Sequence, residues 1–159
     1  MCRSKSRKFT RKDGYSERDL LHYAVDHLKA ANVLFEKSYE LYDSAGYLSH
    51  LGIEMIFKTM LLYRKGEFPG IHKLSYLVRR LKNDISLSED QTRLIKKLDK
   101  FEGLRYPNPR KTVEIGDEDW NEIKSFIDFL FQSLPQKLQD EFSKIDSHTK
   151  GGRILMSKP

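Results

Sequence analysis

Between Asp43 and Lys65 apolar residues fall on nearly every side of a helical wheel: Tyr47, Leu48, Leu51, Ile53, Met55, Ile56, Phe57, Met60, Leu61 and Leu62. A helix apolar all round is a central, buried one. Only a narrow polar strip interrupts it. His50, Glu54 and Lys58 recur at i, i+4 and i+8 and so stack on one side. Gly46 and Gly52 each weaken such a helix by about 1 kcal/mol relative to alanine, which is tolerable where a neighbouring helix must come close.

The other periodic segments are amphipathic and suit packing around this one. Ser16, with Glu17 and Asp19 behind it, reads as an N-cap followed by acids in the first turn. Leu20, Leu21, Ala24, Leu28, Ala31, Leu34 and Phe35 then repeat at 3.6 residues, and the helix is expected to run to about Leu41. Gly66 ends the central helix, and a short helix carrying Leu74, Leu77, Val78 and Leu81 follows a loop. Ser88 and Gln91 form a capping-box pair ahead of Leu94, Ile95, Leu98 and Phe101, predicting a helix over 89–104. Pro107 and Pro109 stop it. The acids 117–119 open a last helix, expected to bend at Pro135 and continue to about Phe142. The expected fold class is therefore all-α, a single up-and-down bundle of about five helices over residues 16–142. No strand pair is expected, residues 1–15 read as a disordered basic arm, and 143–159 as a flexible C-terminal tail.

Composition alters this picture in one respect. The 159-residue chain is long enough for one domain burying roughly 68–70% of its unfolded surface. Its net charge of +6 resides in the arm, since residues 1–12 hold six cations and no acid. The remainder carries 23 bases and 23 acids. Such an arm can hold nucleic acid through phosphate charge, or simply be a solvated extension. A lone cysteine, Cys2, permits neither a disulfide framework nor a cysteine metal site within one chain. With no charge-free run of about 20 apolar residues and no secretory-type apolar segment, no membrane is expected as a partner and the cytoplasm is the expected compartment.

Motifs of nucleotide hydrolysis, dinucleotide binding, zinc proteolysis and the nucleophile elbow are missing from the sequence. His22, His27, His50, His72 and His148 make no ligand pair at i, i+3 or i+4. No metal and no cofactor are expected. Two features remain. Glu54 and Lys58 form either a structural i, i+4 ion pair or a functional one, because charges in so apolar a helix need partners or a purpose. The segment Arg105-Tyr106-Pro107-Asn108-Pro109-Arg110-Lys111 puts three cations and an aromatic ring on a proline-stiffened turn. Guanidinium forks and a stacking ring suit a nucleotide or RNA; a tyrosine packed under the bundle, beside a salt-bridged arginine, is the structural reading.

In order, the helix 49–61 with Glu54 and Lys58, the run His72-Lys73-Leu74-Ser75-Tyr76-Leu77, and Leu104-Arg105-Tyr106-Pro107 resemble the HEPN domain family (higher eukaryotes and prokaryotes nucleotide-binding) over about residues 18–134. The family pattern is A-x-E-x-x-x-K-x-x-L, then H-x-L-x-x-L, then R-Y-P. Lys73 departs from it, standing where many members have an acid. The resemblance implies a helical bundle, often dimeric, associated with nucleotides or RNA. Many members are metal-independent RNases, commonly toxins, with an Arg-x4–6-His motif; others are non-catalytic partners of small nucleotidyltransferases.

No histidine here has an arginine at that spacing, and Lys111 and Thr112 stand where the histidine after Arg105 would be needed. That points away from catalysis. The expectation is a non-catalytic module that binds a nucleotide or RNA, or partners a nucleotidyltransferase, as a homodimer. Arg105, Tyr106, Arg110 and Lys111 would make the contacts, and His72, Lys58 and Glu54 would order the neighbouring surface. The alternatives are an RNase with non-standard residues such as His72 and Arg105, and a purely structural interaction protein.

Overall fold

A computed structural model describes residues 6–105, 114–148 and 154–155. Six α-helices account for most of them: α1 (Glu17–Lys37), α2 (Tyr42–Lys65), α3 (Leu74–Arg80), α4 (Glu89–Asp99), α5 (Asp117–Ser133) and α6 (Gln136–His148). Short 3-10 turns span Arg11–Asp13, Tyr39–Leu41 and Lys100–Arg105. The bundle is all-α in its main body, with α2 at its centre. This helix packs against α1, α3, α4 and α5, and fourteen of its residues are buried.

The start of α1 follows the local chemistry. The Ser16 hydroxyl accepts the Asp19 N–H at 3.1 Å, satisfying a first-turn donor. α1 stops at Lys37 rather than Leu41 because Ser38 turns extended, with φ −167° and ψ 140°. The close approach of α1 and α2 explains Gly52. A Cβ there would stand 2.5 Å from Leu28 Cγ and 3.2 Å from the Ala24 carbonyl oxygen.

Further expectations are corrected. The last helix is two, α5 and α6, which raises the helix count from five to six. Leu134, ahead of Pro135, is driven to ψ 145°, out of the helical region, and the chain restarts at a new angle against α1. The strand pair not expected from the sequence is present: β1 (Lys8–Thr10) lies antiparallel to β2 (Glu67–Pro69), with Phe9 opposite Phe68. The arm expected to be disordered to residue 15 is thus ordered from Lys8. Phe9 stacks on Phe68 with centroids 5.5 Å apart, and Tyr15 meets both rings edge-on. Arg11 bonds Glu17 and donates to the Leu62 carbonyl at 3.2 Å.

At the other end, α6 continues six residues past Phe142, burying Ile145 and Asp146. Asp146 forms a buried pair with Lys29 of α1 at 3.3 Å and accepts the Ile154 N–H at 3.0 Å. Ile154 is buried in the core. The segment expected to be flexible from 143 is therefore helical to His148 and anchored again at 154–155.

Candidate functional site

The polar strip of α2 points into the protein. Glu54 is fully buried, and His50 and Lys58 are almost so. Glu54 Oε1 accepts from Lys58 Nζ at 2.6 Å, one helical turn on. The same oxygen lies 2.9 Å from His72 Nδ1. His72 sits between β2 and α3 with 53% of its side chain exposed, so the network runs from the core to the surface. Lys58 Nζ also stands 5.6 Å from the centroid of Phe68, whose ring is covered by Phe9 and Tyr15. The N-terminal arm thereby roofs the lysine.

Two backbone features hold His72 in place. Gly70 N–H donates to the Arg7 carbonyl at 2.7 Å, and a Cβ on Gly70 would meet that oxygen at 3.2 Å and Phe9 Cε2 at 3.0 Å. Only glycine lets the arm lie this close. After His72, α3 begins without a capping side chain of its own. Asp99 at the end of α4 supplies one, accepting Leu74 N–H at 2.6 Å, Ser75 N–H at 3.2 Å and the Ser75 hydroxyl at 2.6 Å.

His50 completes the strip in an unusual state. Among the described residues neither ring nitrogen has a hydrogen-bond partner, and its Nδ1 is 3.9 Å from Glu54 Oε2, which likewise has none among them. That separation is too long for a hydrogen bond. Burial pushes the His50 imidazole below its usual range; Glu54, Asp99 and Glu102 pull the other way, and His72 adds to the lowering. His27 on α1 is likewise lowered by burial, against the pull of Asp26 and Glu54. Both rings are thus biased toward the neutral form.

The structure therefore brings together Glu54, Lys58 and His72, three of the residues singled out from the sequence. Arg105 closes the 3-10 turn after α4. Its side chain, and all of Tyr106, Arg110 and Lys111, lie outside the described residues. Asp99 was missed as a contributor; the signal was Lys73 at the N-cap position of α3, where a Ser, Thr, Asp or Asn would cap, so that the cap must come from elsewhere.

Surface grooves lie apart from this network. One of about 750 Å³ is lined by Tyr15, His22, Tyr23, His27 and Met55 among others, and one of about 680 Å³ lies between α4 and α5. Among the described residues no cluster of three or more His, Cys, Asp or Glu side chains could hold a metal ion. Nor, among them, is any helix long and apolar enough to cross a membrane.

No curated protein and no solved structure matches the chain. The HEPN domain model matches residues 17–145, from the first residue of α1 to within three residues of the end of α6. The match takes in all but the last turn of the helical bundle, with the Glu54–Lys58–His72 network, and the chain belongs to the HEPN domain family.

Proposed function

We propose that this protein is a non-catalytic HEPN module that binds a nucleotide or RNA. Membership of the family supports a nucleotide- or RNA-related role. The observation that carries the reading within this chain is the buried Glu54–Lys58 pair reaching the half-exposed His72. Such a pair is an expensive way to stabilise a helix that could have been apolar throughout, and it carries a polar group to the surface. The non-catalytic assignment rests on the sequence, where no histidine follows an arginine at the spacing of the family's RNases. Arg105, Tyr106, Arg110 and Lys111 supply the phosphate and base contacts, with His72, Lys58 and Glu54 ordering the adjoining surface. The module acts as a homodimer, or as the partner of a small nucleotidyltransferase.

Titration with ATP and with short RNA tests the site. Arg105→Ala is expected to weaken binding by about 1.5–3 kcal/mol, the value of a charge-assisted hydrogen bond. Unchanged affinity would remove Arg105 from the site. RNA cleavage in the presence of a chelator, carried out by the purified protein and lost in His72→Ala, would replace the non-catalytic reading with an enzymatic one.

A further inference from the structure

The contact between Glu54 and His72 has a definite polarity. An ionised carboxylate offers only lone pairs, so in the 2.9 Å contact the proton belongs to His72 Nδ1. In a neutral ring the other nitrogen, Nε2, is then an acceptor. Glu54 is wholly buried while just over half of the His72 side chain is exposed, so the ring turns its Nδ1 edge to the core. Among the described residues no hydrogen bond engages Nε2. A buried acid that fixes a tautomer and leaves the far nitrogen for a ligand is the division of labour of the carboxylate–histidine pairs in hydrolytic triads.

The ligand group this nitrogen suits follows from its polarity. Phosphate oxygens at neutral pH are acceptors and cannot bond to a lone pair. A ribose hydroxyl or an exocyclic base amine can donate to it. Phosphates fall instead to cations, and the structure keeps these close by: Lys73 follows His72, and the Arg7 carbonyl is bonded to Gly70, two residues before it.

We propose that His72 Nε2 accepts a hydrogen bond from an O–H or N–H donor of a bound nucleotide, with Glu54 as the positioning residue that sets the tautomer. This rests on the nucleotide-binding reading above. It makes the site selective for the donor groups of the sugar or base, beyond charge alone.

The test uses the full chain and two matched ligand series. ATP is compared with 2′,3′-dideoxy-ATP, which lacks both ribose hydroxyls, and with ITP, which lacks the exocyclic amine. Oligoadenylate is compared with its deoxy and inosine counterparts. One of the two changes should weaken binding to the unmodified protein roughly three- to tenfold, the loss of one neutral hydrogen bond. The same change should have no effect in His72→Phe, whose exposed position keeps folding out of the comparison. Which change matters identifies the donor. Equal affinity across each series, or an equal loss in His72→Phe, overturns the inference and leaves the nucleotide reading standing. No binding of ATP or oligoadenylate overturns both.

The role of Glu54 has its own readout, in long-range proton–nitrogen NMR spectra of the His72 ring at pH 8. The unmodified protein should show the Nδ1–H tautomer. The double variant Glu54→Met, Lys58→Met, which removes the acceptor without stranding the ammonium, should shift it toward Nε2–H. An Nε2–H ring in the unmodified protein, or a tautomer indifferent to the double variant, overturns the assignment.

Discussion

His50 is the residue whose environment is hardest to reconcile with stability alone. A buried ring whose two nitrogens have no partner among the described residues forgoes hydrogen bonds that water would supply, at a cost of about 1–3 kcal/mol for each unsatisfied group. Its lowered pKa gives that cost a pH signature. Above the unfolded value of about 6.5 the ring is neutral folded and unfolded alike, and the protein keeps its full stability. As the pH falls through 6.5, the unfolded chain takes up the proton that the folded chain refuses, so stability drops until the folded ring also titrates. His50 therefore contributes a slope of at most about 1.4 kcal/mol per pH unit below 6.5. His27, lowered in the same direction, adds to it. Urea unfolding between pH 8 and pH 5.5 should show this fall, and His50→Leu should flatten it and raise stability at pH 8, because the unsatisfied nitrogens are gone. An unaltered slope in the variant would mean that the ring is not held neutral in the fold.

Among the elements, the α1–α2 pairing offers the sharpest measurement. Gly52→Ala would normally gain from better helix propensity, by about 1 kcal/mol. Here the added methyl meets Leu28 at 2.5–2.7 Å and the backbone oxygen of Ala24 at 3.2 Å. The side chain can shift, but the backbone of a packed helix cannot follow cheaply. Overpacking of this kind costs about 1–3 kcal/mol, which outweighs the gain. The variant should be destabilised in chemical denaturation, and an increase in stability would show that the two helices have room to part.

The same pairing shows what the sequence could convey. The all-round apolarity of α2 and its glycines announced a central helix under close neighbours, because burial and sterics act on residues locally. The Ser88–Gln91 capping box also forms as its spacing requires, for the same reason. The β1–β2 pair was illegible because three residues are too few for a period, and because Phe9 and Tyr15 stand singly among the charged and polar residues of the arm. The partner of those rings, Phe68, is more than fifty residues away. His72 could be marked in the sequence as a candidate, whereas its contact with Glu54 depends on how the β2–α3 connection crosses α2.

At the scale of the whole molecule, charge and architecture are separated and then rejoined. Beyond residue 12 bases and acids balance, 23 against 23, and the excess of six cations lies in residues 1–12. Pairing of β1 with β2 ties that excess to the edge of the Glu54–Lys58–His72 network. Within the arm, Lys8 and Arg11 are occupied by Glu67 and Glu17. Replacing them would test the fold as much as the charge. Arg3, Lys5 and Arg7 precede the strand, and changing all three to glutamine removes three cations and the Arg7 contact over the Phe9 ring but keeps the Phe9–Phe68 stack and the Gly70–Arg7 backbone bond. If the arm steers RNA to the site, each phosphate it neutralises contributes about 0.7 to the slope of log affinity against log salt for a single strand. The triple variant should therefore lower that slope by up to about 2 for a short RNA, while ATP, too small to span arm and site, loses far less. A salt slope for RNA identical to that of the unmodified protein would show that the arm's charge stands outside the binding surface, and that β1 serves only to roof Lys58.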